Sequence, residues 1–379
     1  MKFFEALKLC ADSPYAYGYA DFSGKIFISW GSAPLAPKVL AGMANSAANE
    51  GSGHSSLQFG DFYSGAKENP DWKKFSLGSF AEFSSAEVLA EAASSPDRKP
   101  LFGKIQNRLP DEREWKLYCK KIEAGISSGK FAKIVPARSE VWDMPELTSL
   151  AILQRLFTKP DGKTVRFFLS WAGELFFGAS PELLFEQRRG ELYIPCIAGT
   201  KVFDPLHPLS VSEKQQFLAD GKERAEHLLV VRGILEALQV DPKSITIPEP
   251  SLLELPGLVH LFTPLHLPGE KNLESLVRLL HPTPAVGGYP QKAALEFLAE
   301  EEPWPRGKFA GPLLYQDSQG ATAVVAIRSA LFAKNQLTFF AGAGYVKGST
   351  PEKEWLETEK KMQFLKNILA ITGESHHGN

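Results

Sequence analysis

Residues 192–203 (LYIPCIAGTKVF), 322–332 (TAVVAIRSALF) and 336–346 (QLTFFAGAGYV) carry a two-residue apolar period rich in Val, Ile, Phe and Tyr, which is the pattern of strands. Only Ala333, Lys334 and Asn335 separate the last two runs, and this short polar turn predicts an antiparallel hairpin. Helical spacing governs residues 112–128, 211–239, 291–302 and 351–369 instead. Strands that arrive in adjacent pairs, rather than one for one with helices, predict an α+β fold: an antiparallel sheet architecture with helices packed around it.

A chain of 379 residues exceeds one average domain, so length alone suggests two domains or one large one. The formal net charge is -2, and no basic stripe interleaved with aromatics is present, so nucleic acid is not an expected partner. Glu5, Lys8 and Asp12 interrupt the amino-terminal apolar residues before a signal-peptide core forms, and no run is long enough to cross a membrane. Cys10, Cys119 and Cys196 are too few and too scattered for a disulfide framework or a zinc site. The expectation is a soluble protein of a reducing compartment, the cytoplasm. Residues 81–100 read as a short helix running into a loop, and the ending GESHHGN reads as a frayed tail.

The helix over 351–369 is the most informative element. Thr350 is a good N-cap and Pro351 suits the first helical position. Glu354, Glu357 and Lys361 then share one face, with Leu356, Leu365, Ile368 and Leu369 as apolar packing. Two carboxylates a turn apart can hold a hard cation, although the same spacing also suits a solvated Glu–Lys pair. Glu226, beside His227 in KERAEHLL, adds a mid-helix carboxylate that local sequence does not distinguish from a surface one.

On FAKIVPARSE, Lys133 shares a strand face with Phe131, Val135 and Ala137, and such a setting lowers a lysine from roughly 10.4 unless the ammonium snorkels to water. Pro136 places that strand at an edge or bulge. Glu182 follows a Gly-Ala-Ser-Pro break and opens an apolar strand, where burial would keep its carboxyl protonated near neutral pH, as a general acid requires. Ala198-Gly199-Thr200 and Ala341-Gly342-Ala343-Gly344 suit close approach of backbone N–H groups to an anion. Arg328, expected on the strand face of Val324 and Ala326, offers a fork to a carboxylate or half of a structural ion pair.

Taken together, LLHPTPAVGGYPQKAALEFLAEEEPWPRGKFAGPLLYQD, VAIRSA, AGAGYV and STPEKEWLETEKK resemble the chorismate-utilising enzyme family. Upstream, FAKIVPAR, FGASPELLF, IAGT, KERAEH and HLFT resemble its remaining blocks in order, so the resemblance covers about residues 104–369. It implies one α+β catalytic domain over 1–372, with a large antiparallel two-layered β-core and peripheral helices, a divergent part at 1–103, a motif-bearing part at 104–372 and a disordered tail at 373–379. It further implies Mg²⁺ held by Glu226, Glu357 and Glu354, with Lys133 as the base that activates water and Glu182 as the acid that protonates a departing ring hydroxyl. Arg328, Lys361 and the backbone near Gly344 would bind the enolpyruvyl carboxylate of chorismate. Gly199 and Thr200 would line the ring-carboxylate site, and His260 would lie near the reacting ring.

Within the family, HPTPAVGG with Ala285, together with Lys133, resembles the water-adding isochorismate synthases rather than the amine-adding members. The resemblance therefore implies a small-molecule substrate, no glutamine amidotransferase subunit, and a monomer or homodimer. Two other readings stay open: a salicylate-forming member that also eliminates pyruvate, and a catalytically silent relative that binds chorismate or a metal. Pro136, where Leu is usual, and Phe309, where many relatives have Tyr, depart from the family pattern.

Overall fold

The computed structural model describes residues 1–13, 15–21, 25–30, 56–59, 73–75, 79–93, 99–158, 162–171, 173–204, 206–255 and 257–373. Three sheets organise them. A ten-stranded sheet runs Ile371–Gly373, Leu101–Leu109, Ala137–Asp143, Gln336–Gly342, Ser329–Ala333, Glu174–Ser180, Val165–Trp171, Tyr15–Ala20, Lys25–Trp30, Ser79–Ser84. An eight-stranded sheet runs Ser251–Leu255, Leu258–Pro268, Glu191–Val202, Leu183–Arg188, Gly320–Val325, Pro312–Asp317, Ser56–Phe59, Lys73–Phe75. A small sheet places Lys133–Ile134 between Gly288–Tyr289 and Tyr345–Val346. Every pairing is antiparallel except that of Ile371–Gly373 with Leu101–Leu109.

The two large sheets face each other. Tyr17, Tyr19, Phe167, Leu169 and Phe176 of the first pack against Leu183, Leu313, Tyr315 and Val324 of the second. Tyr19 and Tyr315 stack across this interface, with ring centroids 4.8 Å apart. The alternate residues Phe168, Leu175 and Phe177 point outward into a second core, covered by the helices Phe3–Asp12, Ser149–Phe157 and Pro351–Leu369. The outer face of the eight-stranded sheet is covered in the same way by Glu112–Ser127, Gly221–Ala237, Leu273–Leu280 and Gln291–Glu301. Burial on both faces explains why the strands read as almost continuously apolar.

The hairpin expected around residue 334 is present: Ser329–Ala333 pairs with Gln336–Gly342, and Lys334 and Asn335 both take positive φ, as a two-residue hairpin turn demands. Other expectations need correction. The run 322–332 is two strands in different sheets, because the chain leaves the eight-stranded sheet after Val325 and enters the other at Ser329, with Arg328 at φ 48° in between. The run 336–346 likewise splits at Ala343-Gly344. The helix expected over 211–239 is two, Val211–Leu218 and Gly221–Ala237, since Asp220 caps a new helix by accepting the Glu223 amide.

Pro136 lies neither at a sheet edge nor in a bulge but in the gap between Lys133–Ile134 and Ala137–Asp143, so Lys133 shares no long strand face with Phe131, Val135 and Ala137. Leu356 is exposed rather than packed. Ser85–Ala93 forms the expected short helix, and Gly373 ends a strand rather than opening a tail; residues 94–98 and 374–379 lie outside the described residues. No helix among the described residues is long and apolar enough to cross a membrane. Cys10, Cys119 and Cys196 are buried free thiols.

Candidate active site

The corrected strand breaks are what build the site. Glu182 sits where the chain passes from Glu174–Ser180 in one large sheet to Leu183–Arg188 in the other, and Arg328 sits where it passes back. These two crossovers run side by side, tied by Val325 N to Glu182 O at 3.0 Å, Ala179 N to Arg328 O at 3.1 Å and Ser180 Oγ to Val325 O at 2.6 Å. Lys133 and Gly344 belong to a third junction, where the small sheet meets the ten-stranded one. Glu182 and Arg328, on backbone that leaves a sheet, line one open pocket of about 520 Å³ counting the solvent at its mouth, and Lys133, paired on both sides within the small sheet, and Gly344 line it too.

The walls of that cavity also include Gly199, Thr200, Glu226, His260, Ala285, Glu357 and Lys361. Glu354 is buried but does not reach the lining. A second open chamber, of about 400 Å³ counting the solvent at its mouth, shares Glu182, Ala285, Ile327, Arg328 and Lys361 with the first and adds Arg306 and Phe309.

Burial pushes the Glu182 carboxyl up to about 7, against the opposing pull of Lys361, Arg328 and Lys133. It is therefore partly protonated at neutral pH. The Arg328 guanidinium makes no hydrogen bond with any described residue; its charged neighbours are Glu357 and Glu182, and burial draws it down to about 10, so it stays cationic. An unpaired, buried guanidinium facing a cavity is a ready receptor for an anionic oxygen pair.

Lys133 Nζ lies 2.8 Å from Glu226 Oε1, and Lys361 Nζ lies 2.6 Å from Glu357 Oε1 while donating to Gly342 O at 2.8 Å. His260 is held neutral, at about 3, by burial and then by Arg328 and Lys361, and its Nδ1 pairs with Thr200 Oγ1 at 3.0 Å. Gly199 takes φ 76° at a bulge inside the strand Glu191–Val202, not at its end. His227 is a core residue, bonded to Thr263 Oγ1 and Ala198 O.

Two residues went unread in the sequence. Glu223 accepts the Thr200 amide at 2.9 Å, so that N–H is already engaged, and Lys222 reaches both Glu223 and Glu354 at 3.5 Å. Their place in KERAEH, Glu223 one turn before Glu226, was the available signal. The carboxylates crowd one another: burial and then Glu357 push Glu354 up to about 7, and burial and then Glu226 raise Glu223. Clustered hard oxygen donors under mutual repulsion suit a divalent cation of the Mg²⁺ kind. As positioned, each is instead answered by a lysine, and no three acidic, His or Cys side chains among the described residues converge tightly enough to hold an ion.

Known proteins share this architecture. The family model for chorismate binding enzyme matches residues 67–370. The salicylate biosynthesis isochorismate synthase of Pseudomonas aeruginosa is 33% identical over 268 residues, which is 69% of this chain and 56% of that protein. Isochorismate synthase EntC of Escherichia coli K12 is 32% identical over 301 residues, 77% of this chain and 76% of that one. The solved structure of MenF, the menaquinone-specific isochorismate synthase from Escherichia coli, superposes with a TM-score of 0.76 at 22% identity, covering 97% of this chain and 92% of that one, and so shares the α+β fold. With the family model and these relatives in agreement over most of its length, the chain belongs to the chorismate-binding enzyme family.

Proposed function

We propose that the chain is an isochorismate synthase, converting chorismate to isochorismate by adding water at ring C2 and expelling the C4 hydroxyl. One observation carries the reading: a carboxyl held near pH 7, Glu182, and a buried amine, Lys133, open onto one cavity together with an unpaired guanidinium, Arg328. Water is too weak a nucleophile and hydroxide too poor a leaving group unless a base and an acid both serve the ring. Lys133 takes a proton from the attacking water while the oxygen bonds to C2. The ring double bonds shift, the C4–O bond breaks, and Glu182 gives its proton to the departing oxygen, which leaves as water. Each group is worth roughly two to four powers of ten in rate.

Chorismate is a dianion, and a protein of net charge -2 must meet it with local cations. Arg328 and Lys361 would receive the enolpyruvyl carboxylate, while Gly199 and Thr200 would line the ring-carboxylate end, with the neutral His260 behind Thr200. Glu226, Glu354 and Glu357 would hold Mg²⁺ only after drawing together away from Lys133, Lys222 and Lys361, and the ion would then supply the positive charge that the ring carboxylate needs. Ala285 and Lys133 in one cavity support water rather than ammonia as the nucleophile, and the names of the relatives point the same way. Three buried thiols suit the cytoplasm.

The test is to incubate the purified protein with chorismate and Mg²⁺ and separate the products by chromatography. Isochorismate alone is expected. Salicylate plus pyruvate would show a further elimination step, an amino product formed only with ammonia would make the chain an amine-adding member, and unconverted chorismate would leave it a silent relative.

A further inference from the structure

In the wall of the second chamber, which Arg306 lines, lies a buried ion pair that none of the chemistry above uses. Arg306 Nε and Nη2 grip Glu302 Oε2 and Oε1 at 2.6 and 2.8 Å, with both side chains essentially sealed from water. Such a pair is a weak source of stability, because desolvating two charges offsets much of their attraction. Its remaining bonds are therefore the informative ones. Arg306 Nη2 also donates to Val135 O at 2.6 Å and Nη1 to Val286 O at 2.9 Å, while Glu302 Oε1 accepts the Ala137 amide at 3.0 Å.

Those three backbone groups belong to two segments of the cavity wall. Val135 and Pro136 form the gap between the small sheet and the strand that Ala137 opens opposite Gly342; Val135 N donates to Gly287 O at 3.0 Å, and the Val135 carbonyl and the Ala137 amide are left to the ion pair. Val286 follows Ala285. Trp304 Nε1 donates to Ala137 O at 3.2 Å and Ala343 N donates to Pro136 O at 3.1 Å. We propose that Arg306 and Glu302 are positioning residues: a clamp that fixes the Lys133 segment against the Ala285 segment and so sets where the amine stands relative to the bound ring. Only a planar fork reaches two carbonyls and a carboxylate at once; a lysine in its place has one nitrogen to share among them.

The consequence for turnover rests on the chorismate reading, whereas the clamp itself does not, and the experiment separates the two. Arg306→Lys and Glu302→Gln are made in the full chain, and hydrogen exchange is followed by mass spectrometry alongside steady-state kinetics with chorismate. Faster exchange is expected together in residues 132–137 and 285–288, with the rest of the chain unchanged. Expected kinetics are a kcat about tenfold to a hundredfold lower with KM within about threefold, as for a small misplacement of a reacting group. Should Arg306→Lys fail to fold, the nearly isosteric Glu302→Gln carries both readouts. Wild-type kcat in a folded variant, a loss of kcat/KM carried by KM with kcat unchanged, or exchange confined to one segment each overturn the clamp. A wild-type protein inert toward chorismate sinks the chorismate reading alone, and exchange then decides the clamp.

Discussion

Lys133 Nζ and Glu226 Oε1 lie 2.8 Å apart, with the lysine side chain 1% exposed, so the proposed base and a proposed cation ligand are partners before any ligand arrives. Removing the amine strands a buried carboxylate. Lys133→Ala is therefore expected to lower stability by about 3 kcal/mol and to abolish isochorismate formation, at least about a hundredfold, while chorismate still binds. Product chromatography, calorimetric titration with chorismate and denaturant unfolding check the three parts. Loss of binding along with turnover would make Lys133 a substrate clamp instead of a base.

Gly344 is the backbone that lets this pair exist. A Cβ added there would fall 2.2 Å from Glu226 Oε1 and 3.3 Å from Lys133 Cε, so a methyl group cannot coexist with the carboxylate where it stands. Gly344→Ala is expected to push Glu226 aside and reduce kcat/KM by about tenfold or more, with a fold otherwise intact by circular dichroism. Wild-type kinetics in that variant would show that Glu226 can occupy a second position at no functional cost.

On the proposed reaction, Glu182 would set the pH behaviour. Its folded value of about 7 lies above the unfolded range for a carboxyl, so the native state holds the proton more tightly than the unfolded chain. The stability it contributes is complete below the unfolded pKa and is lost as pH rises through about 7. The acid form disappears over the same upper range, so kcat/KM should fall on the alkaline side with an apparent pKa near 7. Glu182→Gln, which has no proton to lose, should remove that limb along with most of the turnover, and should be more stable than wild type at pH 8 by on the order of 1–3 kcal/mol, with the difference vanishing near pH 4. A wild-type profile flat from pH 6 to about 9 would show that another group supplies the proton.

Residue identity and order were legible in the sequence to a degree that strand boundaries were not. The resemblance names Lys133, Glu182, Gly199, Thr200, Glu226, His260, Ala285, Arg328, Gly344, Glu357 and Lys361, which line one cavity, and Glu354, which does not reach it. The period-two pattern, however, runs through Ile327-Arg328 and Ala343-Gly344 without a break, because strands of both large sheets bury both faces and nothing apolar is withdrawn where the chain changes sheets. What would have marked the crossovers is backbone conformation, such as φ 48° at Arg328, which no side-chain pattern records. The lysine partners of the acidic residues were hidden for a related reason. Lys133 and Glu226 are 93 residues apart, and only the meeting of the small sheet with the helix Gly221–Ala237 joins them.

Those lysine partners determine how a cation must bind. Glu226, Glu354 and Glu357 are engaged by Lys133, Lys222 and Lys361, so a Mg²⁺ ion held there, as proposed, would gain its oxygens only as these contacts loosen. Burial and like-charge crowding at Glu354 favour that exchange, since a divalent ion relieves what a single ammonium at 3.5 Å relieves only in part. Mg²⁺ is accordingly expected to raise the unfolding temperature of the wild type without chorismate, saturably, by an amount equivalent to about 2.7 kcal/mol at a hundred times its Kd. Glu226→Ala and Glu357→Gln should each raise the Mg²⁺ concentration needed for half-maximal stabilisation and for half-maximal turnover by about tenfold or more. Lys222→Met removes a competing cation without touching a carboxylate, and should leave the ion bound at least as tightly as in wild type. If thermal denaturation is indifferent to Mg²⁺ in every one of these proteins, the acidic cluster is a lysine-neutralised structural element and the metal, if the reaction needs one, is held elsewhere.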